Sequence, residues 1–223
     1  MKKLLITGIN SDISKSIINT FKDEYKIIGI YHNNLDISST YVDLYKCDVT
    51  NEEEVKELIS ILKCKYNNID LLINVHSKEK DEYILDKTGD SFNEVLSTII
   101  TGTFLMMKYS IKYLNISYII NISSTDSIDT YNEYNIDYSV SKSGLNMMTK
   151  IFSEYFPSIN FKLILLNYVD THTTKEMDPN YLKSELIRIN QRELIKPSHI
   201  ANKLKEIINS NNKELIVRID NNE

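Results

Sequence analysis

Tyr138 and Lys142 stand four residues apart at the end of a stretch, Asn121 to Lys142, that reads NISSTDSIDTYNEYNIDYSVSK. On a helix that spacing puts both side chains on one face, one turn apart. A phenol is a weak acid at neutral pH, with an unperturbed pKa of about 10. A neighbouring ammonium favours the phenolate, and a serine hydroxyl beside the pair can hold a carbonyl or alkoxide oxygen. Tyr118-Ile119-Ile120-Asn121-Ile122 reads as a strand that delivers Ser123 and Ser124 to its end. A polar loop follows, and a helix is expected from about Asp137. Ser124, Tyr138 and Lys142 can therefore converge, and the chemistry they suit is reversible carbonyl reduction.

Spacing alone does not single out this pair, because Tyr83 and Lys87 repeat it. Context does: Tyr83 has neither a strand with serines before it nor a long helix after it. A strand ending Asn-x-Ser-Ser ahead of a Tyr-x-x-x-Lys helix resembles the short-chain dehydrogenase/reductase family. The resemblance implies Ser124 as donor to the substrate oxygen, Tyr138 as acid-base and Lys142 as its activator. The serine-to-tyrosine spacing is one residue longer than the family's, which reads as an extra loop residue, with Ser123 and Thr125 as alternatives for the serine.

The elements that must position these groups alternate in type. Strands are expected at Lys2 to Thr7, Tyr25 to Tyr31, Tyr45 to Cys47, Ile69 to Val75, Tyr118 to Ile122, Phe161 to Leu166 and Leu215 to Ile219. Helices are expected at Ile13 to Phe21, from Thr50 or Asn51 to Tyr66, along Ser91 to Leu114, at Asp137 to Phe156, and near Asn180 to Asn190 and Pro197 to Asn209. Residues 171–177 read as a polar lid. The order predicts one α/β domain over residues 1–223, a doubly wound parallel sheet of Rossmann type with helices on both faces.

Strand, turn, helix and strand within the first thirty residues form a mononucleotide-binding half, whose helix N-terminus favours a pyrophosphate. Thr7-Gly8-Ile9-Asn10-Ser11-Asp12-Ile13-Ser14 resembles the family's Thr-Gly-x-x-x-Gly-x-Gly, with Asp12 and Ser14 in place of two glycines. Gly8, Asn10, Ser11, Asp12 and Ile13 are the candidates there; Asp12 can cap the helix, but its charge is unfavourable beside a pyrophosphate unless the carboxylate turns away. Tyr31, His32 and Asn33 follow the second strand with no acid before Asp36, which favours NADP(H), with NAD(H) as the alternative. Asp48 and Val49 resemble the adenine-binding segment, Asp48 serving equally as a helix-start residue. Asn74 matches the first residue of Asn-Asn-Ala-Gly, and Val169 and Thr171 resemble the segment that meets the nicotinamide carboxamide. Lys142, beside Tyr138, is implied to hold the ribose. Ile99 stands where the family carries a catalytic Asn.

Composition excludes other classes. A net charge of −5 and a pI near 5.5 disfavour a nucleic-acid or anionic membrane surface. No apolar run approaches the roughly 20 residues of a membrane span, and the start MKKLLITGINSD lacks the pattern of a secretory signal, so a cytoplasmic protein is expected. Cys47, Cys64 and the four histidines form no metal motif. The expected function is reduction of a small carbonyl compound, or oxidation of an alcohol, by a homodimer or homotetramer. The alternatives are a catalytically reduced relative serving as a nucleotide-binding or assembly subunit, and epimerase or lyase chemistry on a sugar nucleotide.

Overall fold

The computed structural model describes residues 1–35, 37, 40–210 and 212–220. Its strands are β1 (Lys2–Thr7), β2 (Tyr25–Tyr31), β3 (Val42–Lys46), β4 (Leu71–Asn74), β5 (Tyr118–Ser124), β6 (Asn160–Leu166) and β7 (Ile216–Ile219). All seven pair in parallel, in the order β3-β2-β1-β4-β5-β6-β7. The helices are α1 (Asp12–Phe21), α2 (Glu52–Tyr66), α3 (Gly89–Leu96), α4 (Gly102–Tyr113), α5 (Ile136–Tyr155), α6 (His172–Glu176), α7 (Pro179–Arg188) and α8 (Pro197–Asn209).

The sheet is apolar on both faces, and successive strand residues serve opposite sides. Leu4, Ile6, Ile27, Ile73 and Ile120 pack with Ile17 and Phe21 of α1 and with Ile200 and Leu204 of α8. Leu5, Ile28, Leu72 and Ile119 face Val55 and Leu58 of α2 and Leu105 and Met106 of α4. Leu163 and Leu165 meet Leu145 of α5 and Ile99. Helices therefore cover both faces, as the alternating order predicts.

Three expectations change in detail. The third strand starts at Val42, because Val42 to Lys46 take up the register of Ile27 to Tyr31. The helix expected along Ser91 to Leu114 is two, α3 and α4, joined by a π-helical turn over Ser97–Thr101 in which the Gly102 N–H reaches back to the Ser97 carbonyl. The expected lid contains the short helix α6, whose Thr171 N-cap accepts from the Thr174 N–H. Asp36 lies outside the described residues.

Candidate active site

The strand order reverses between β1 and β4, and at such a switch point the loops leaving the C-terminal strand ends part to form a crevice. Here it is a cleft of ≈ 1310 Å³ lined by the loops after β1, β2, β4, β5 and β6.

Ser124, Tyr138 and Lys142 all line this cleft. Ser124 is 7% exposed, accepts the Asp126 N–H at 3.1 Å and hydrogen-bonds with Tyr138. Ser123 instead donates to Asn146 Oδ1 at 2.7 Å, and the Thr125 hydroxyl is engaged by Thr130 and Asn167. Lys142 Nζ donates to the Ile122 carbonyl at 2.9 Å and sits 5.3 Å from the centre of the Tyr138 ring.

The electrostatics differ from the expected activation of the phenol by the lysine. Burial, followed by Glu79 and Asp126, raises the Tyr138 pKa well above its ordinary value, against hydrogen bonding from Ser124 and Ser77. Burial lowers Lys142 to about 8, with Glu79 opposing. The ammonium spends a hydrogen bond on Ile122 and faces the ring, and burial with the nearby carboxylates decides the net direction at the phenol. The Tyr138 hydroxyl therefore favours its protonated form.

At the β1 end of the cleft, Gly8 has φ 66°, a conformation open to glycine without steric cost, and a β-carbon there would lie 2.7 Å from His76 backbone atoms. Ser11, not Asp12, caps α1 through the Ser14 N–H, and Asp12 and Ile13 take its first helical positions, whose N–H groups have no partner within the helix. The Asp12 carboxylate is turned across the cleft, where it accepts the His172 N–H at 2.8 Å. Asn10 bonds the Asn34 carbonyl at 2.5 Å. Tyr31, His32 and Asn33 line the cleft, with His32 Nε2 3.5 Å from Asp48 Oδ2. Asp48 also accepts from the Thr50 N–H at 2.9 Å in the turn ahead of α2, whose N-cap is Asn51. Val49, Val169 and Thr171 line the cleft as well.

Asn74 does not. It is 3% exposed and donates to Asn121 Oδ1 at 2.8 Å, within a buried network that continues from Asn121 to Thr149 at 2.9 Å. That network ties β4 to β5 and α5 behind the cleft, so the side chain is committed to the core.

Further groups complete the cleft and the wall behind it. His76 bridges Thr7 Oγ1 at 2.6 Å and Thr103 Oγ1 at 3.3 Å. Burial, then the charge of Lys142, lowers it to about 4, against a hydrogen bond with the Thr98 backbone. Ile99 is 1% exposed and faces Leu145 and Leu163, so the π-helical turn presents Ser97 and Thr98 to the cleft instead. Glu79, Asp81 and Asp126 line the wall around Tyr138. All three are raised, chiefly by the desolvating walls, Glu79 in spite of being open to solvent. They could be found only once the fold brought residues 76–90 over the start of α5.

Among the described residues no group of three His, Cys, Asp or Glu side chains could hold a metal ion, and no helix is long and apolar enough to cross a membrane.

Comparison with known proteins agrees with this architecture. The family described as enoyl-(acyl carrier protein) reductase matches residues 32–205. The chain is 27% identical over 216 residues to 3-oxoacyl-[acyl-carrier-protein] reductase FabG of Thermotoga maritima, covering 90% of this chain and 87% of that protein. Ligand-free aldohexose dehydrogenase of Thermoplasma acidophilum superposes with TM-score 0.85 at 22% identity, over 98% of this chain and 92% of that one. A short-chain dehydrogenase from Burkholderia cenocepacia in complex with NADP does so with TM-score 0.87 at 14% identity, over 98% and 96%. The sheet order, the cleft at its switch point and the match over most of the sequence establish that the chain belongs to the short-chain dehydrogenase/reductase family of oxidoreductases.

Proposed function

We propose that this chain is an NADP(H)-dependent reductase of a small carbonyl compound, running in reverse as an alcohol dehydrogenase. The observation that carries the reading is the convergence of Ser124, Tyr138 and Lys142 in one cleft that also contains the start of α1. The N–H groups of Asp12 and Ile13 would meet the pyrophosphate, Lys142 the nicotinamide ribose and Thr171 the carboxamide. A bound nicotinamide supplies the hydride. Ser124 donates a hydrogen bond to the carbonyl oxygen, and Tyr138, held protonated, gives that oxygen its proton as the alkoxide forms. Lys142 keeps its charge below about pH 8 and so favours the negative charge that develops on the tyrosine side.

NADP(H) is preferred because the end of β2 offers Tyr31, His32 and Asn33 with no acid among them, and NADP is bound by the Burkholderia protein. The substrate is small and neutral or cationic, since the carboxylates of Glu79, Asp81 and Asp126 oppose an anion beside Tyr138. Phe104 of α4 and Met147, Ile151 and Tyr155 of α5 are 39–76% exposed and apolar, which supports self-association as a homodimer or homotetramer. Free thiols at Cys47 and Cys64 suit a reducing cytoplasmic setting.

Titration with NADPH and, separately, NADH, followed by nicotinamide fluorescence and melting temperature, tests the reading. Micromolar binding with preference for NADPH is expected. Binding of neither would favour the second reading, an assembly subunit, which Asp12 at the pyrophosphate position and Ile99 at the relay position motivate.

A further inference from the structure

Lys87, from the second Tyr-x-x-x-Lys of the chain, takes no part in the chemistry above, yet its side chain is closed off from solvent beside the cleft wall. Its side chain is 2% exposed, that of Asp137 is 0% exposed, and Nζ lies 2.8 Å from Oδ2. Nζ also donates to the Lys80 carbonyl at 2.6 Å. The other carboxylate oxygen of Asp137 accepts the Tyr138 N–H at 2.9 Å. Two further contacts join the same segments: the Glu82 N–H donates to the Tyr134 carbonyl at 3.0 Å, and the Tyr83 and Tyr134 rings lie 5.9 Å apart. Asp81 from one segment, and Tyr134 and Tyr138 from the other, line the cleft.

An exposed ion pair holds little, whereas a buried one gains nothing over an apolar pair unless its geometry is satisfied. Here it is satisfied on three sides, by Asp137, the Lys80 carbonyl and the Tyr138 N–H, which fixes direction as well as contact. We propose that Lys87 is a positioning residue: its ion pair with Asp137 clamps residues 80–87 to the first turn of α5 and so sets where the Tyr138 hydroxyl meets the substrate. The proposal rests on the reading of Tyr138 as the acid-base group.

The test compares the wild-type chain with Lys87→Met/Asp137→Leu, which removes both charges so that neither is left buried alone, and with Lys87→Arg, which keeps the pair. Amide hydrogen exchange is followed in residues 80–87 and 136–140, with kcat, KM and NADPH affinity measured alongside. In the double variant, exchange in both segments is expected to speed up and kcat to fall, each on the order of tenfold, with NADPH affinity unchanged. Lys87→Arg is expected to restore both protection and kcat. A folded double variant with wild-type exchange and kcat would overturn the clamp. Should the double variant not fold, the wild type decides by itself: both segments are expected to share one opening with a common denaturant dependence, and two independent openings would overturn the proposal. If the wild type binds NADPH but consumes no carbonyl, the reductase reading fails, and the exchange data alone decide the clamp.

Discussion

Asp12 Oδ2 accepts the backbone N–H of His172 at 2.8 Å, joining residues 160 positions apart across the mouth of the cleft. The carboxylate stands at the first turn of α1, where the helix dipole favours an anion, and the family pattern has a glycine there. Asp12→Asn keeps an acceptor for His172 and removes the charge. NADPH is expected to bind about threefold to tenfold more tightly to that variant at low ionic strength, with the gain shrinking as salt is added. Equal affinities in a fluorescence titration at both salt levels would show that the carboxylate does not bear on the pyrophosphate.

Lys142 is lowered to about 8 by burial, so its ammonium is lost within an accessible range. For carbonyl reduction, kcat/KM is expected to be level near neutrality and to fall as pH rises through about 8, since kcat/KM reports the groups of the free enzyme. Lys142→Met should abolish that limb and weaken both turnover and NADPH binding. A wild-type profile that stays flat to pH 9.5, roughly a unit and a half above that midpoint, would remove the lysine from the reaction.

His76 is half-buried between Thr7 and Thr103, and desolvation with the charge of Lys142 lowers it from 6.5 to about 4. Between these values the unfolded chain binds the additional proton. The stability this histidine contributes is therefore present above pH 6.5 and lost as pH falls through about 4. Urea unfolding midpoints are expected to fall across this window more steeply in the wild type than in His76→Gln. Parallel curves would contradict the assignment.

Glu79, Asp81 and Asp126 make the wall near Tyr138 acidic. Against a matched pair of ketones, one neutral and one bearing a carboxylate, the neutral compound is expected to have the higher kcat/KM by at least about tenfold, a difference of about 1.4 kcal/mol. Asp126→Asn should narrow the gap. A preference for the anion would point to a cation in the substrate site that the wall does not provide.

Much of this was legible in the sequence, because strands buried on both faces and amphipathic helices leave different periodicities, and their alternation dictates a parallel sheet. The strand carrying Ser124 and the helix carrying Tyr138 and Lys142 fall where their residues require. Three features were not legible. Asn74 resembles a cleft residue by motif, but whether an amide faces ligand or core depends on Asn121 and Thr149, contributed by other elements. The relation of Lys142 to Tyr138 follows from spacing on a helix, whereas the phenol's pKa depends first on its burial and then on Glu79 and Asp126, from loops whose path no local pattern sets. The π-helical turn at Ser97–Thr101 was likewise hidden, since its residues continue the apolar pattern of the helices around it.

The most direct measurement is NADPH consumption with a neutral ketone by the wild type and by Tyr138→Phe, with cofactor affinity determined for both. Loss of one hydroxyl that acts as the proton donor is expected to lower kcat by about 10²- to 10⁴-fold while leaving NADPH affinity within about twofold. Equal turnover by the two proteins would contradict the assignment of Tyr138 as the acid and, with it, the reading of the cleft as a Ser-Tyr-Lys active site.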